Sequence, residues 1–281
     1  MIPSDDRATA IDAHYGKTDD LEGRILAALA AMGKDIEALT FTDLAPVDQF
    51  HTGGIDASRA LAQLAGVKKD AIVLDIGGGL GGPARMLAEE FGASVTVLDL
   101  TESFVTTGAA LTTRLGMERS VRFRHGDALA MTFPNASFDL AWTQHATMNI
   151  ADKDRLYAEI ARVLRRGARL AFHEVMAGPG GPPHFPVPWA SDPSISSLLP
   201  PEEIRGLLAR LGFVEVAWND VTAEALAWFQ AMQARAAAEP GPPPFGLSLV
   251  LGADFGQRFA SMGRNLAEDR VTVIQAVFNR S

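Results

Sequence analysis

The sequence predicts an α/β protein: a seven-stranded, mostly parallel sheet with helices on both faces. Short apolar runs alternate with helix-periodic segments from Ala71 to Leu211. The first run ends in a glycine cluster, Gly77-Gly78-Gly79-Leu80-Gly81-Gly82. A last apolar run, Val271 to Phe278, appears only after a helical stretch over 223–268, which implies a helical cap inserted between the last two strands.

Each element has a local reason. Residues 1–65 read as an N-terminal cap of short helical pieces, with Leu21 to Met32 rich in Ala and Leu and Ile55 to Leu64 amphipathic. Pro46 to Gly54 reads as a loop from its glycines and polar residues. The core spans 66–222 and opens with the strand Ile72 to Ile76, followed by a helix from Pro83 to Phe91. Ser94 to Asp99 is a second strand, Ser103 to Leu115 a helix, and Val121 to His125 a half-buried third strand. Phe138 to Thr143 is the fourth strand, Asp152 to Leu164 a strongly periodic helix, and Arg169 to Glu174 the fifth strand. Gly178 to Pro188 is rich in Gly and Pro and reads as an irregular loop. Pro201 to Leu211 is a helix with proline suited to its first turn, and Val214 to Trp218 a sixth strand. The cap over 223–268 is interrupted by Pro240-Gly241-Pro242-Pro243-Pro244, and 269–281 returns to the core as the final strand.

Composition narrows the function classes. Of 281 residues 47% are hydrophobic, enough to bury a sizeable core, and the net charge is −9. With no run of basic residues, nucleic acid and anionic membrane surfaces are not expected as main partners. There is no cysteine, which excludes disulfides, cysteine–zinc sites and thiol catalysis. The polar start Met1 to Arg7 lacks the pattern of a signal peptide, and no apolar run is long enough to span a membrane, so the expected location is the cytoplasm.

The glycine cluster follows a strand, opens a helix and matches the spacing G-x-G-x-x-G. Glycine allows the tight turn and the close approach of backbone to a ligand. Asp99 closes the second strand 17 residues after Gly82, where a carboxylate accepts from ribose hydroxyls. That geometry suits a nicotinamide dinucleotide and S-adenosylmethionine alike. Asp75, two residues before the first glycine, separates them. A carboxylate there attracts a cationic amino-acid tail and repels a pyrophosphate, which wants a bare helix N-terminus. Asp127, within Gly126-Asp127-Ala128 after the third strand, is placed to accept from an adenine amino group.

These residues resemble the motifs of class I (Rossmann-like) S-adenosylmethionine-dependent methyltransferases. Val73-Leu74-Asp75-Ile76-Gly77-Gly78-Gly79 looks like their motif I, Asp99 like the acid ending their second strand, and Gly126-Asp127-Ala128 like their adenine-contacting motif. Phe138 to Trp142 resembles their fourth strand. Ala161 to Leu170 resembles the element before their fifth, with Arg166 and Ala168 where proline and a second glycine are usual. The match covers about residues 45–220 and is nearest the small-molecule branch that includes sarcosine/dimethylglycine-type enzymes. It implies S-adenosylmethionine as cofactor, S-adenosylhomocysteine as product, a cofactor site of Asp75, Gly77, Gly78, Gly79, Asp99, Leu100, Gly126, Asp127, Ala128 and Gln144, and an N-terminal segment, Asp48 to Gly54, closing over the cofactor. Several relatives carry an aspartate after the equivalent of Gln144 and a histidine near Asn149; this chain has His145 and Asn149, so their substrates do not carry over.

Methyl transfer from a sulfonium needs alignment and exclusion of water, with a base only where the nucleophile arrives protonated. Residues after the fourth strand should face the methyl group, because ligands in such sheets bind beyond the carboxyl ends of the strands. His145 is the first candidate for a base or an orienting group, with His173 and His51 as further catalytic candidates. Glu174, ending the fifth strand beside His173, is another. Tyr15, Met148, Asn149 and Trp189 are candidate substrate contacts; His184, Phe185, Pro188, Trp228, Phe229 and Met232 are candidate walls. No metal signature appears. Rival readings are an S-adenosylmethionine-binding cyclase or isomerase on the same fold and, less favoured, an NAD-dependent oxidoreductase. The expected partner is a small molecule, and apolar cap helices leave room for a homodimer.

Overall fold

The computed structural model describes residues 20–238, 245–252 and 254–281. Tyr15 and the Pro240–Pro244 break lie outside the described residues. Helices α1 (Leu21–Ala31), α2 (Phe41–Asp48) and α3 (Gly54–Ala65) precede the sheet. The core then runs β1 (Ile72–Ile76), α4 (Gly82–Phe91), β2 (Ser94–Asp99), α5 (Glu102–Arg114), β3 (Val121–His125), β4 (Phe138–Gln144), α6 (Lys153–Val163) and β5 (Leu164–Ala177). After α7 (Pro201–Arg210) and β6 (Phe213–Asp220) come α8 (Thr222–Ala238), α9 (Ser248–Leu251) and α10 (Phe255–Ala267), and then β7 (Val271–Arg280).

The strands form one seven-stranded sheet in the order β3-β2-β1-β4-β5-β7-β6. Neighbours from β3 to β5 pair in parallel, and β7 pairs antiparallel with both β5 and β6. Alternate residues of β1 show why the inner strands read as unbroken apolar runs. Val73 faces a cluster with Leu61 of α3 and Met86 of α4, while Leu74 faces another with Tyr157 of α6 and Leu207 of α7. Both faces are covered, so both sets of side chains are buried. A third cluster joins the cap helices α8 and α10, through Phe229 and Met262, to Val175 and Val273. A fourth joins α1 and α2 to Phe104 and Leu111 of α5.

Three local expectations are corrected. Pro46 does not sit in a loop but inside α2, which starts on a capping box between Thr40 and Asp43 and ends two residues after the proline. At the sixth position of this eight-residue helix the proline lacks the N–H that would bond to Thr42 O, so the ladder loses one bond near its end. His173 and Glu174 do not end β5: the strand continues to Ala177, because β7 gives it a partner past the end of β4. Its start also lies earlier, at Leu164. Between Leu164 and Arg169 its pairing with β4 shifts register, between Phe138 and Leu140, with Gly167 at φ 75°. The Gly/Pro-rich loop is irregular but tied down. His184 N donates to Asn265 Oδ1 at 2.7 Å, and Gly180 N to Asp269 O at 2.8 Å.

Candidate active site

After β1 the chain turns through Gly77 at φ 69° and Gly79 at φ 55°. That backbone region costs an ordinary residue about 1 kcal/mol or more. Close approach restricts the same positions: a Cβ on Gly77 would lie 2.4 Å from Ala146 Cβ, and one on Gly79 3.0 Å from the Phe50 ring. Asp99 braces the turn, its Oδ2 accepting from Gly79 N at 2.8 Å and its Oδ1 from Thr101 N at 2.9 Å. Each oxygen keeps a further lone-pair direction for a ribose hydroxyl. Asp75 is buried behind the turn, and its Oδ2 has no partner. Burial, with the charge of Asp99 adding to it, pushes its carboxyl up to about 8. Gly77, Gly79, Asp99, Leu100, Gly126, Asp127 and Ala128 line one cleft; Asp75 and Gly78 lie behind its wall. Asp127 is exposed, with Oδ1 accepting from Leu129 N at 2.8 Å.

These residues fit S-adenosylmethionine. The partnerless carboxylate of Asp75 lacks a cation, which an ammonium supplies directly or through water. A pyrophosphate would instead meet two carboxylates, Asp75 and Asp99, at the turn that should cradle it.

Opposite this turn lies the segment after β4. Gln144 Oε1 accepts from Trp142 Nε1 at 2.9 Å and from Ser58 Oγ at 3.1 Å, which leaves its buried Nε2 without a partner. His145 takes a left-handed backbone, φ 47°, and its N donates to His173 O at 2.9 Å. Glu174 is fully buried and holds the turn from below, accepting from Thr143 Oγ1 and from the backbone N of Ala146 and Thr147, each at 3.2 Å from Oε2. It is a brace, its carboxyl pushed up by burial. Lys153 Nζ donates to Thr147 O at 2.6 Å and Ser197 O at 2.9 Å. Asn149 lines the cleft, but its Nδ2 is engaged with Trp189 O at 2.8 Å and Ile195 O at 2.9 Å, so it fixes the tryptophan loop.

The structure brings the three catalytic candidates together. The rings of His145 and His173 are 5.0 Å apart, His51 and His173 5.7 Å, and His51 and His145 6.1 Å. His51 Nε2 lies 2.9 Å from Gln49 Oε1 and 3.0 Å from Ser58 Oγ. The buried Nε2 atoms of His145 and His173 have no partner. Burial brings His51 down to about 4 and holds His145 and His173 well below the usual imidazole range, with His173 and His51 lowering His145 further and His51 lowering His173. At neutral pH the cluster is therefore uncharged. Among the described residues no group of His, Asp and Glu has the arrangement of a metal site.

The cleft and its open mouth together hold about 1260 Å³ of space, and one opening is lined by both the glycine-turn residues and the segment after β4. Its outer wall is Met148, Pro188, Trp189, Trp228 and Phe229, with Phe255, Phe259 and Met262 from one face of α10. Met232, His184 and Phe185 do not line it: His184 pairs with Glu268 at 2.8 Å, and Phe185 packs with the cap cluster. Phe50 belongs to the segment expected to close over the cofactor, whereas sequence reasoning missed Phe104, Leu247, Phe255 and Phe259, although the i, i+4, i+7 spacing of Phe255, Phe259 and Met262 was a signal. It also missed Asp48 and Arg85, a buried ion pair with Asp48 Oδ2 at 2.8 Å from Arg85 Nη2. Arg85 also donates to Leu80 O at 2.7 Å and Thr112 Oγ1 at 2.6 Å. The pair ties the end of α2, and so Phe50 and His51, to the helix that leaves the glycine turn.

Residues 74–172 match the family model described as a methyltransferase domain. A sterol 24-C-methyltransferase of Neurospora crassa is 33% identical over 134 residues, 48% of this chain and 35% of that protein. A sarcosine/dimethylglycine N-methyltransferase of Halorhodospira halochloris is 26% identical over 219 residues, 78% of this chain and 77% of that protein. The chain thus spans about a third of the sterol enzyme and about three quarters of the sarcosine one. A crystal structure of geranyl diphosphate C-methyltransferase from Streptomyces coelicolor, holding S-adenosyl-L-homocysteine, superposes with a TM-score of 0.72, at 18% identity and covering 100% of both chains. Residues 74–172 thus carry the pattern of a methyltransferase domain, shared with the sarcosine/dimethylglycine enzyme over most of both chains.

Proposed function

We propose that the protein is an S-adenosylmethionine-dependent methyltransferase that moves a methyl group to a nucleophilic atom of a small metabolite. The observation that carries this reading is the partnerless carboxylate of Asp75, buried behind a glycine turn braced by Asp99. The donor, when bound, supplies an electrophilic methyl on a sulfonium. Asp75 attracts its ammonium end, Asp99 and Asp127 hold ribose and adenine, and Gln144 offers its free Nε2 near the reacting end. Gly77 and Gly79 let the backbone approach, and Phe50 shields that turn from water. Met148, Asn149 and Trp189 orient the acceptor, with Tyr15 assigned to the same task. His145, supported by His173 and His51, takes a proton where the nucleophile carries one. No helix among the described residues is long and apolar enough to cross a membrane. A cytoplasmic location and a homodimer option complete the proposal.

Calorimetry with S-adenosylmethionine, S-adenosylhomocysteine and NAD+ tests it. Micromolar binding of the first two, lost in Asp99→Ala, is the expected result. Binding of NAD+ alone would overturn it.

A further inference from the structure

Resting on the methyltransferase reading, we infer that the acceptor is an uncharged, largely apolar molecule carrying an acidic hydroxyl, a phenol or an enol, and that Nε2 of His145 receives its proton. The charge distribution in the cleft is the first ground. Its lining carboxylates are Asp99 and Asp127, both at the cofactor end, and the described lining includes no Lys or Arg. Two buried cations border the cleft, and both are engaged by the chain: Lys153 with the carbonyls of Thr147 and Ser197, Arg258 with Val187 O. Among the described residues, nothing at the acceptor end therefore pairs with a phosphate, a carboxylate or an ammonium. An aliphatic amine, with a pKa near ~10.4, arrives as a cation and would share a dry cleft with the donor's sulfonium. Aromatic faces attract cations, but they do not offset two like charges buried together.

The polar atoms at the floor are the second ground. Among the residues that line the cleft with Trp189, Trp228, Phe229 and Phe259, those with a buried side-chain atom lacking a partner are Gln144 and His145, through Nε2 of each; His173, whose Nε2 is likewise unpartnered, stands outside the lining with its ring 5.0 Å from that of His145. One hydroxyl on an apolar body satisfies this patch, donating to an imidazole and accepting from the amide. The reach of the base selects the kind of hydroxyl. Imidazoles held below their ordinary pKa are weak bases. A phenol near ~10 lies within their range, whereas an aliphatic hydroxyl, close to water at ~15.7, lies much further off. The step balances. A lone pair of the acceptor oxygen forms the bond to the methyl carbon as the carbon–sulfur pair goes to sulfur, and the hydroxyl proton passes to His145 while its bonding pair stays on oxygen. One positive charge leaves sulfur and one appears on the imidazole cluster, so the cleft never holds two.

A panel with one shared ring tests the inference at physiological ionic strength: naphthalene, 1-naphthol, 1-naphthylmethylammonium and 1-naphthyl phosphate, each titrated by quenching of tryptophan fluorescence. S-adenosylhomocysteine is titrated by calorimetry on the same preparation. We expect 1-naphthol to bind at least ten-fold tighter than the other three. His145→Phe should remove that margin over naphthalene without changing the affinity for S-adenosylhomocysteine, which also reports that the variant is folded. Tighter binding of the ammonium or the phosphate overturns the acceptor class, as does a naphthol margin that survives in His145→Phe. Failure to bind S-adenosylhomocysteine overturns the methyltransferase reading instead.

Discussion

Asp75 is a carboxylate placed where the folded chain by itself gives it nothing to hold, so its protonation should be visible in stability. Its pKa rises from 3.8 in the unfolded chain to about 8 in the fold. Between those values the unfolded state releases a proton that the native state keeps, so the native state loses ground as pH rises and the loss levels off above pH 8. Ligand-free Asp75→Asn should therefore melt ~4–8 °C above the parent at pH 9, equivalent to about 2 kcal/mol, and close to it at pH 4–5. Thermal unfolding at both pH values checks this; a constant gap would refute it. The same variant should bind S-adenosylhomocysteine at least ~100-fold more weakly, since a buried pairing of charges is worth a few kcal/mol. Glycine 77 offers a second test at this scale. Gly77→Ala adds crowding against Ala146 to the strain of a positive φ, whereas Gly33→Ala at φ 78° meets open space. Both should lose about 1 kcal/mol to backbone strain, but only Gly77→Ala should weaken cofactor binding, by more than ~10-fold in calorimetry.

At the scale of elements, α2 and α4 are joined by a fully buried ion pair that no local pattern announces, since Asp48 and Arg85 stand 37 residues apart. Removing one partner strands a charge and should cost ~3–5 kcal/mol, whereas replacing both by apolar residues should recover much of that. We expect Asp48→Leu and Arg85→Met each to lower the melting temperature by ~10 °C and the double variant to regain more than half. If the double variant melts no higher than the singles, the pair is not what joins the two helices. The same contrast explains what the sequence disclosed. The inner strands β1, β2 and β4 and the helices between them were legible because continuous apolar runs and 3.6-residue periods are local properties. Helix α2 was hidden by Pro46 and by the polar, glycine-rich residues after it. The convergence of His51, His145 and His173, from a loop, the residue after β4 and a position inside β5, follows from the strand order and not from spacing in the chain.

Across the whole molecule the buried ionisable groups set opposing limits. His51, His145 and His173 resist protonation in the fold, so stability should fall as pH drops below about 6.5 towards 4. Asp48, Asp75, Asp99 and Glu174, whose carboxyls burial raises, work in the other direction as pH increases. Ligand-free protein should melt highest between about pH 6 and 7, and S-adenosylhomocysteine, by giving Asp75 a cation, should flatten the alkaline side. A melting temperature that climbs steadily to pH 9 without ligand would contradict this.

The position of β7 bears on how the chain reaches this state. Although it is the latest strand in sequence, it lies between β5 and β6. Until β7 is made, β6 has no place beside β5, and β5 presents a long open edge past the end of β4. During synthesis the nucleotide-type half of the sheet can assemble early, while the acceptor wall on α8 and α10 must wait for the strand that follows it. A ribosome stalled before Val271 would therefore hold a half-sheet with an adhesive margin, the kind of species that chaperones capture and that pairs with its own copies.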